Sequence, residues 1–229
     1  MRFFPVFVSV ILLCIPAVSA AEPHPLALKA LESFEELEID NWSYTMTTTS
    51  KEGKRIERHV ATNPVGERWD LVLTTGRKPN TKELEEYREE KAKDLERREE
   101  RKKDDDHDVD LPSITLVSET PDKATFHFRP KGDDEEEEKF MEHVRGTLVV
   151  NKDGAWVERF ELASTDEIKP MAGVKVKEFN VRMLFRRDPA TDEILPVSVV
   201  SRLRGRAFLV KSLDDDVVVS FSEFERTQR

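Results

Sequence analysis

The 229-residue chain is 37% charged and carries a formal net charge of −10 at pH 7. That excess of carboxylates argues against a nucleic-acid backbone or an anionic membrane surface as a general partner, since both would be repelled at long range. The only cysteine is Cys14, so disulfides contribute nothing to the body of the protein.

Residues 1–20 read as a cleavable export signal. Arg2 gives a short positive start, an apolar run extends from Phe3 to Ile15, and Val18-Ser19-Ala20 offers the small residues a signal peptidase accepts. The run is shorter than the ~20 residues a spanning helix requires, and no comparable run follows. Cys14 lies inside it, preceded by Leu13 rather than the small residue expected at a lipidation site. The expectation is a soluble, monomeric protein of residues 21–229 with one domain and no membrane-spanning segment after cleavage.

Leu26, Leu28, Leu31, Phe34 and Leu37 recur every three to four residues, the spacing of an amphipathic helix. Trp42, Tyr44 and Met46 then alternate with polar residues as in a strand, and Lys51-Glu52-Gly53-Lys54 provides a hairpin turn into 55–63. Trp69, Leu71 and Leu73 mark a third strand.

Residues 79–108 form a charged insertion. Asn80 and Glu83 are placed as a capping pair for a helix running to Lys103, on which Leu84, Tyr87, Ala92 and Leu95 are the only residues available to rest on a sheet.

Beyond it, strand periodicity resumes around Ile114 and Leu116 and again at Ala124, Phe126 and Phe128. The acidic stretch 131–139 reads as a loop. Thr147 to Val150, the turn Asn151-Lys152-Asp153-Gly154, and Trp156, Phe160 and Leu162 form the next hairpin.

In the strand from Val174, alternation slips between Val176 and Phe179, and it slips again between Phe221 and Phe224; both slips predict β-bulges. With strands at 195–204 and 207–213, and Asp214-Asp215-Asp216 as a turn, about eleven strands are expected.

Enzyme chemistry finds no foothold in this pattern. His24, His59, His107, His127 and His143 are scattered, and neither a Gly-x-Ser-x-Gly elbow nor a glycine-rich phosphate loop is present. The acidic runs at 104–108 and 133–135 lack the spacing and turn glycine of a calcium loop. No cofactor or metal is expected.

The order of elements, together with Gly146 to Arg159, Leu195-Pro196-Val197, Gly205 and Phe221-Ser222-Glu223-Phe224, resembles the LolA-like periplasmic carriers of outer-membrane lipoproteins. That resemblance implies an α+β fold, a curved antiparallel half-barrel of about eleven strands packed on the N-terminal helix. It also implies a periplasmic location, with the extracellular medium as the alternative, and an apolar ligand on the concave face. Trp42, Trp69, Phe126, Trp156, Val181 and Phe208 are the residues expected to line such a site. The partner would be a hydrophobic acyl-type ligand, a lipoprotein or an envelope protein. The competing expectation is a protein-interaction or sensing module with a filled core that works through its acidic loops and charged helix.

Overall fold

The computed structural model describes residues 23–35, 37, 39–101, 109–208 and 211–227, without the side chains of 98–101. The expected export signal with Cys14, the acidic run 104–108 and the last residues of the expected charged helix lie outside the described residues.

Helix α1 (Pro25–Glu35) precedes a three-strand meander: β1 (Trp42–Ser50), β2 (Gly53–His59) and β3 (Trp69–Leu73). Helix α2 (Thr81–Arg101) leads to β4 (Val109–Glu119) and β5 (Lys123–Pro130), then to the short helix α3 (Glu135–Met141). The chain ends in β6 (Val144–Asn151), β7 (Trp156–Ser164), β8 (Val174–Arg187), β9 (Ile194–Ala207), β10 (Lys211–Ser212) and β11 (Asp215–Arg226).

All strands belong to one antiparallel, unclosed sheet in the order β3-β2-β1-β11-β9-β8-β7-β6-β5-β4, with β10 paired to β9. Hairpins account for most neighbours. The exception is β1 against β11, which joins the first meander to the last strand of the chain. Strands β3 and β4 are consecutive in sequence yet form opposite edges, so the segment carrying α2 runs from one edge of the sheet to the other.

Both expected bulges occur. Register breaks between Val176 and Glu178 on β8, and between Ser43 and Thr45 opposite β11, where Glu223 takes a φ of 55°. The capping pair at α2 is reciprocal: Glu83 N–H donates to Asn80 Oδ1 at 3.0 Å and Asn80 N–H to Glu83 Oε2 at 2.8 Å.

Three sequence expectations need correction. The acidic stretch 131–139 is not simply a loop, because Asp134 caps α3 by accepting the Glu136 and Glu137 N–H groups at 2.9 and 2.8 Å. Four glutamates then occupy the first helical turn, where the helix dipole offsets the mutual repulsion that suggested a loop. Of the strand expected over 207–213, Ala207 instead ends β9, Phe208 breaks the extended backbone with a φ of 50°, and Lys211–Ser212 form β10; 209–210 lie outside the described residues. Of Asp214-Asp215-Asp216 only the first lies in the turn, where its carboxylate accepts the Gly205 N–H; the other two begin β11.

The main core gathers Ala27, Ala30 and Leu31 of α1 with Phe126, Phe128, Leu148, Val150, Trp156 and Phe160. Gly146 lies opposite Phe128, and a β-carbon there would sit 2.2 Å from the Phe128 ring. Gly146→Ala is therefore expected to cost about 1–3 kcal/mol through overpacking. Adding Phe128→Leu should make the loss smaller than the sum of the two single changes, as read from urea unfolding; simple additivity would show that the ring yields without strain.

Candidate functional site

Directly opposed residues of antiparallel strands share a face, so the register traces which side chains stand together. One row runs Arg55, Thr48, Val219, Val199, Met183, Phe160, Leu148, Phe126, Leu116. Beside it lie Glu57, Met46 and Phe221 on one flank, and Val217, Ser201, Val181, Leu162, Gly146 and Phe128 on the other. A single, largely apolar face thus spans the sheet. The reverse face carries Thr45, Thr47, Ser220, Ser222, Arg182 and Glu161.

Helices cover this face at its two ends. On one side Phe34 of α1 stacks on Phe160 at 5.5 Å between centroids and meets Phe185 edge-on at 5.2 Å, while Ala27 and Ala30 are fully buried. On the other side α2 brings Tyr87 and Lys91 against Trp69 and Glu57. Leu84 and Leu95 are half-buried, whereas Ala92 is exposed and does not join the contact. Between the two, Met46, Phe221, Val219, Val199, Met183 and Val181 are only half-buried.

The residues expected to line a ligand site fall in five places. Phe126 and Trp156 are buried in the main core with α1 above them, and Trp42 is 4% exposed in a second cluster with Tyr44 and Leu195. Trp69 is half-buried beneath Lys91, whose Nζ sits 4.3 Å from its ring centroid. Val181 stands on the uncovered strip. Phe208 is 70% exposed at the end of β9.

What sequence reasoning missed is a buried charged cluster under α2. Glu57 is 3% exposed, pairs with Lys91 at 2.9 Å and with Arg55 at 3.4 Å, and lies beside Tyr87. Arg55 also reaches Glu90 at 3.4 Å and stands over the Tyr87 ring at 5.2 Å. Next along β2, His59 is 2% exposed, hydrogen-bonds the Trp42 carbonyl at 2.8 Å and packs on Tyr44 and Trp69. The signal was present but faint: Arg55, Glu57 and His59 occupy alternate positions on β2, so the inward face of that strand is the polar one. Burial, followed by the neighbouring Glu57 charge, pushes the Tyr87 phenol far above its ordinary range.

On the reverse face, Glu161 accepts from Arg182 and Asn180, both at 2.8 Å, and the Arg182 contact holds its carboxyl below the usual range. Among the described residues, no group of three or more His, Cys, Asp or Glu side chains could hold a metal ion, and no helix is long and apolar enough to cross a membrane. Comparison with protein-family models, curated proteins and solved structures found no match.

Two outcomes test the cluster. Lys91→Ala leaves Glu57 short of its closest cation and is expected to cost about 3 kcal/mol, with Glu57→Gln in the same chain recovering part of it; no loss in urea unfolding would show that Arg55 alone suffices. The fold keeps the Tyr87 proton, whereas the unfolded chain releases it near pH 10. This contribution to stability is full below that pH and drains away above it. Tyr87→Phe is expected to reduce the fall in melting temperature between about pH 9 and pH 11 relative to the parent.

Proposed function

We propose that the chain is an exported, non-enzymatic envelope protein, a distant relative of the LolA-like carriers, that binds an acyl-type ligand on the inner face of a half-barrel. The observation that carries this reading is the strip of half-buried Met46, Phe221, Val219, Val199, Met183 and Val181 left between the helix-covered ends. Met183 packs on the main core and Met46 and Phe221 on the Trp42 cluster, and the reading rests on the six being contiguous along one face.

Size narrows the occupant. The strip crosses from β1 to β8, three interstrand steps or about 14 Å, and extends a similar distance along the strands. That is an area on the order of 200 Å², against roughly 800 Å² per partner in a stable protein interface. An acyl chain fits such a strip better than a folded protein does. The row ends at Thr48 and Arg55, so an amphiphile would lie with its tail toward Phe160 and its polar head toward Arg55.

Val199→Asp combined with Val219→Asp is expected to weaken binding of a fluorescent fatty acid by at least about tenfold, because each charge would have to be desolvated beneath the chain. The two carboxylates stand directly opposite each other across β11 and β9, so the melting temperature should fall as well, and circular dichroism at the assay temperature must show a folded variant for the loss to count as a binding effect. Binding by the parent should persist at about 0.5 M salt, where a charge-held partner would dissociate. A parent protein that takes up no fatty acid, and shows only its bare mass by native mass spectrometry after purification from the envelope, would overturn the reading.

A further inference from the structure

At the far end of β8 and β9, away from the charged cluster, two apolar side chains stand in solvent: Met171 is 60% and Phe208 70% exposed. They belong to neighbouring loops. Phe208 N–H donates to the Gly173 carbonyl at 2.6 Å, and its ring lies over Gly173, where a β-carbon would approach to 3.0 Å. Val174 N–H closes the adjoining turn onto the Met171 carbonyl at 3.1 Å. The first loop is pinned from beneath, because Ile168 is 1% exposed and exchanges two backbone hydrogen bonds of 2.8 Å with Val176. Phe208 is held outward at a φ of 50°, a conformation uncommon for a bulky residue. Solvent exposure of the two largest apolar side chains in these loops is thus fixed by the backbone.

The charge around them reverses that of the whole chain. Lys169, Lys175, Lys177, Arg206 and Lys211 fall within 167–177 and 206–214, where the only carboxylates are Glu167 and Asp214. Lys175 and Arg206 oppose each other across β8 and β9, so their charges stand side by side. Glu167 takes up Lys175 at 2.6 Å and reaches Lys169 at 3.8 Å, and the Asp214 carboxylate attracts Arg206, so the five cations still outnumber the two carboxylates.

We propose that this tip docks on an anionic bilayer surface, with Phe208 and Met171 entering the headgroup boundary and the surrounding lysines and arginine meeting lipid phosphates. Apolar side chains ringed by cations are the combination that peripheral membrane binding uses, because burial and attraction to anionic lipid reinforce each other. The net charge of −10 repels such a surface at long range, but at physiological salt the screening length is about 8 Å, so at contact the tip governs. Binding by so small an apolar area is weak and reversible.

The surface stands independently of the acyl-ligand reading. Between the tip and the strip, Val176, Phe179 and Leu203 are packed in a third cluster with Val144, Ile168 and Phe140 of α3, which keeps the two surfaces apart.

The test is co-sedimentation of the full chain, recovered after export and with its N-terminus fixed by mass, on vesicles of phosphatidylglycerol and phosphatidylethanolamine or of phosphatidylcholine alone. Expected is binding to the anionic vesicles that drops at least about tenfold on neutral ones and largely disappears near 0.5 M salt. Met171→Ser with Phe208→Ser should reduce it by about the same factor, as should Lys169→Glu with Lys177→Glu, while circular dichroism and fatty-acid uptake remain those of the parent. Absence of vesicle binding by the parent, equal binding to both vesicle types, or tip variants that bind like the parent would each overturn the proposal. Loss of fatty-acid uptake by the strip variants with vesicle binding intact separates the two readings.

Discussion

The pairing of β1 with β11 is the contact on which the rest of this architecture depends. It matches residues far apart in sequence, as in Thr47 with Ser220, 173 positions apart, and it is the step that makes one sheet of two meanders. Without it β1, β2 and β3 would form a three-strand ribbon with nowhere to bury Trp42, Tyr44 and Trp69. With it, those rings meet Phe221 and Phe224 across the joint. The bulge at Glu223 belongs to the same joint, because the extra residue brings Phe224 to the face that Phe221 already occupies. Contacts of such sequence separation form late and slowly, so this joint is where folding has most entropy to overcome.

The two ends of the sheet face are then closed by different chemistry. Under α1 the closure is apolar and close-packed, built from alanines that let the helix approach and phenylalanines that fill what remains. Under α2 it is ionic and aromatic: Lys91 lies between Glu57 and Trp69, gaining charge attraction and cation–π contact together. An ion pair of this kind adds little net stability over an apolar substitute, yet it is unforgiving of a shifted partner. It therefore fixes where the helix sits more than how tightly it is held.

Much of this was legible from the sequence, and the failures have physical reasons. Alternation placed Trp69, Leu71, Phe126 and Phe128 on their faces because one side of each strand is packed and the other wet. The two bulges were visible as slips in the same alternation. The α3 helix was hidden because four consecutive glutamates look self-repelling until Asp134 is seen at their N-cap. Size and alternation singled out Phe126, Trp156 and Trp42, but neither tells a ring packed within a core cluster from one on a half-buried strip. Glu57 and His59 escaped notice because a buried polar pair on a strand is readable only once its partners on α2 and β1 are known.

An open face persists only if the sheet does not pair further, and both edges are built to prevent that. β3 has five residues, and the connection that leaves it carries α2 back over the sheet. At the other edge β4 contains Pro112 and loses register twice, between Asp110 and Thr115 and between Leu116 and Ser118. Short edges, proline and bulges each deny an incoming strand a continuous row of backbone groups. With neither edge offering a continuous row of backbone groups, the half-buried strip at the centre of the sheet is bounded instead by α1 at one end and α2 at the other.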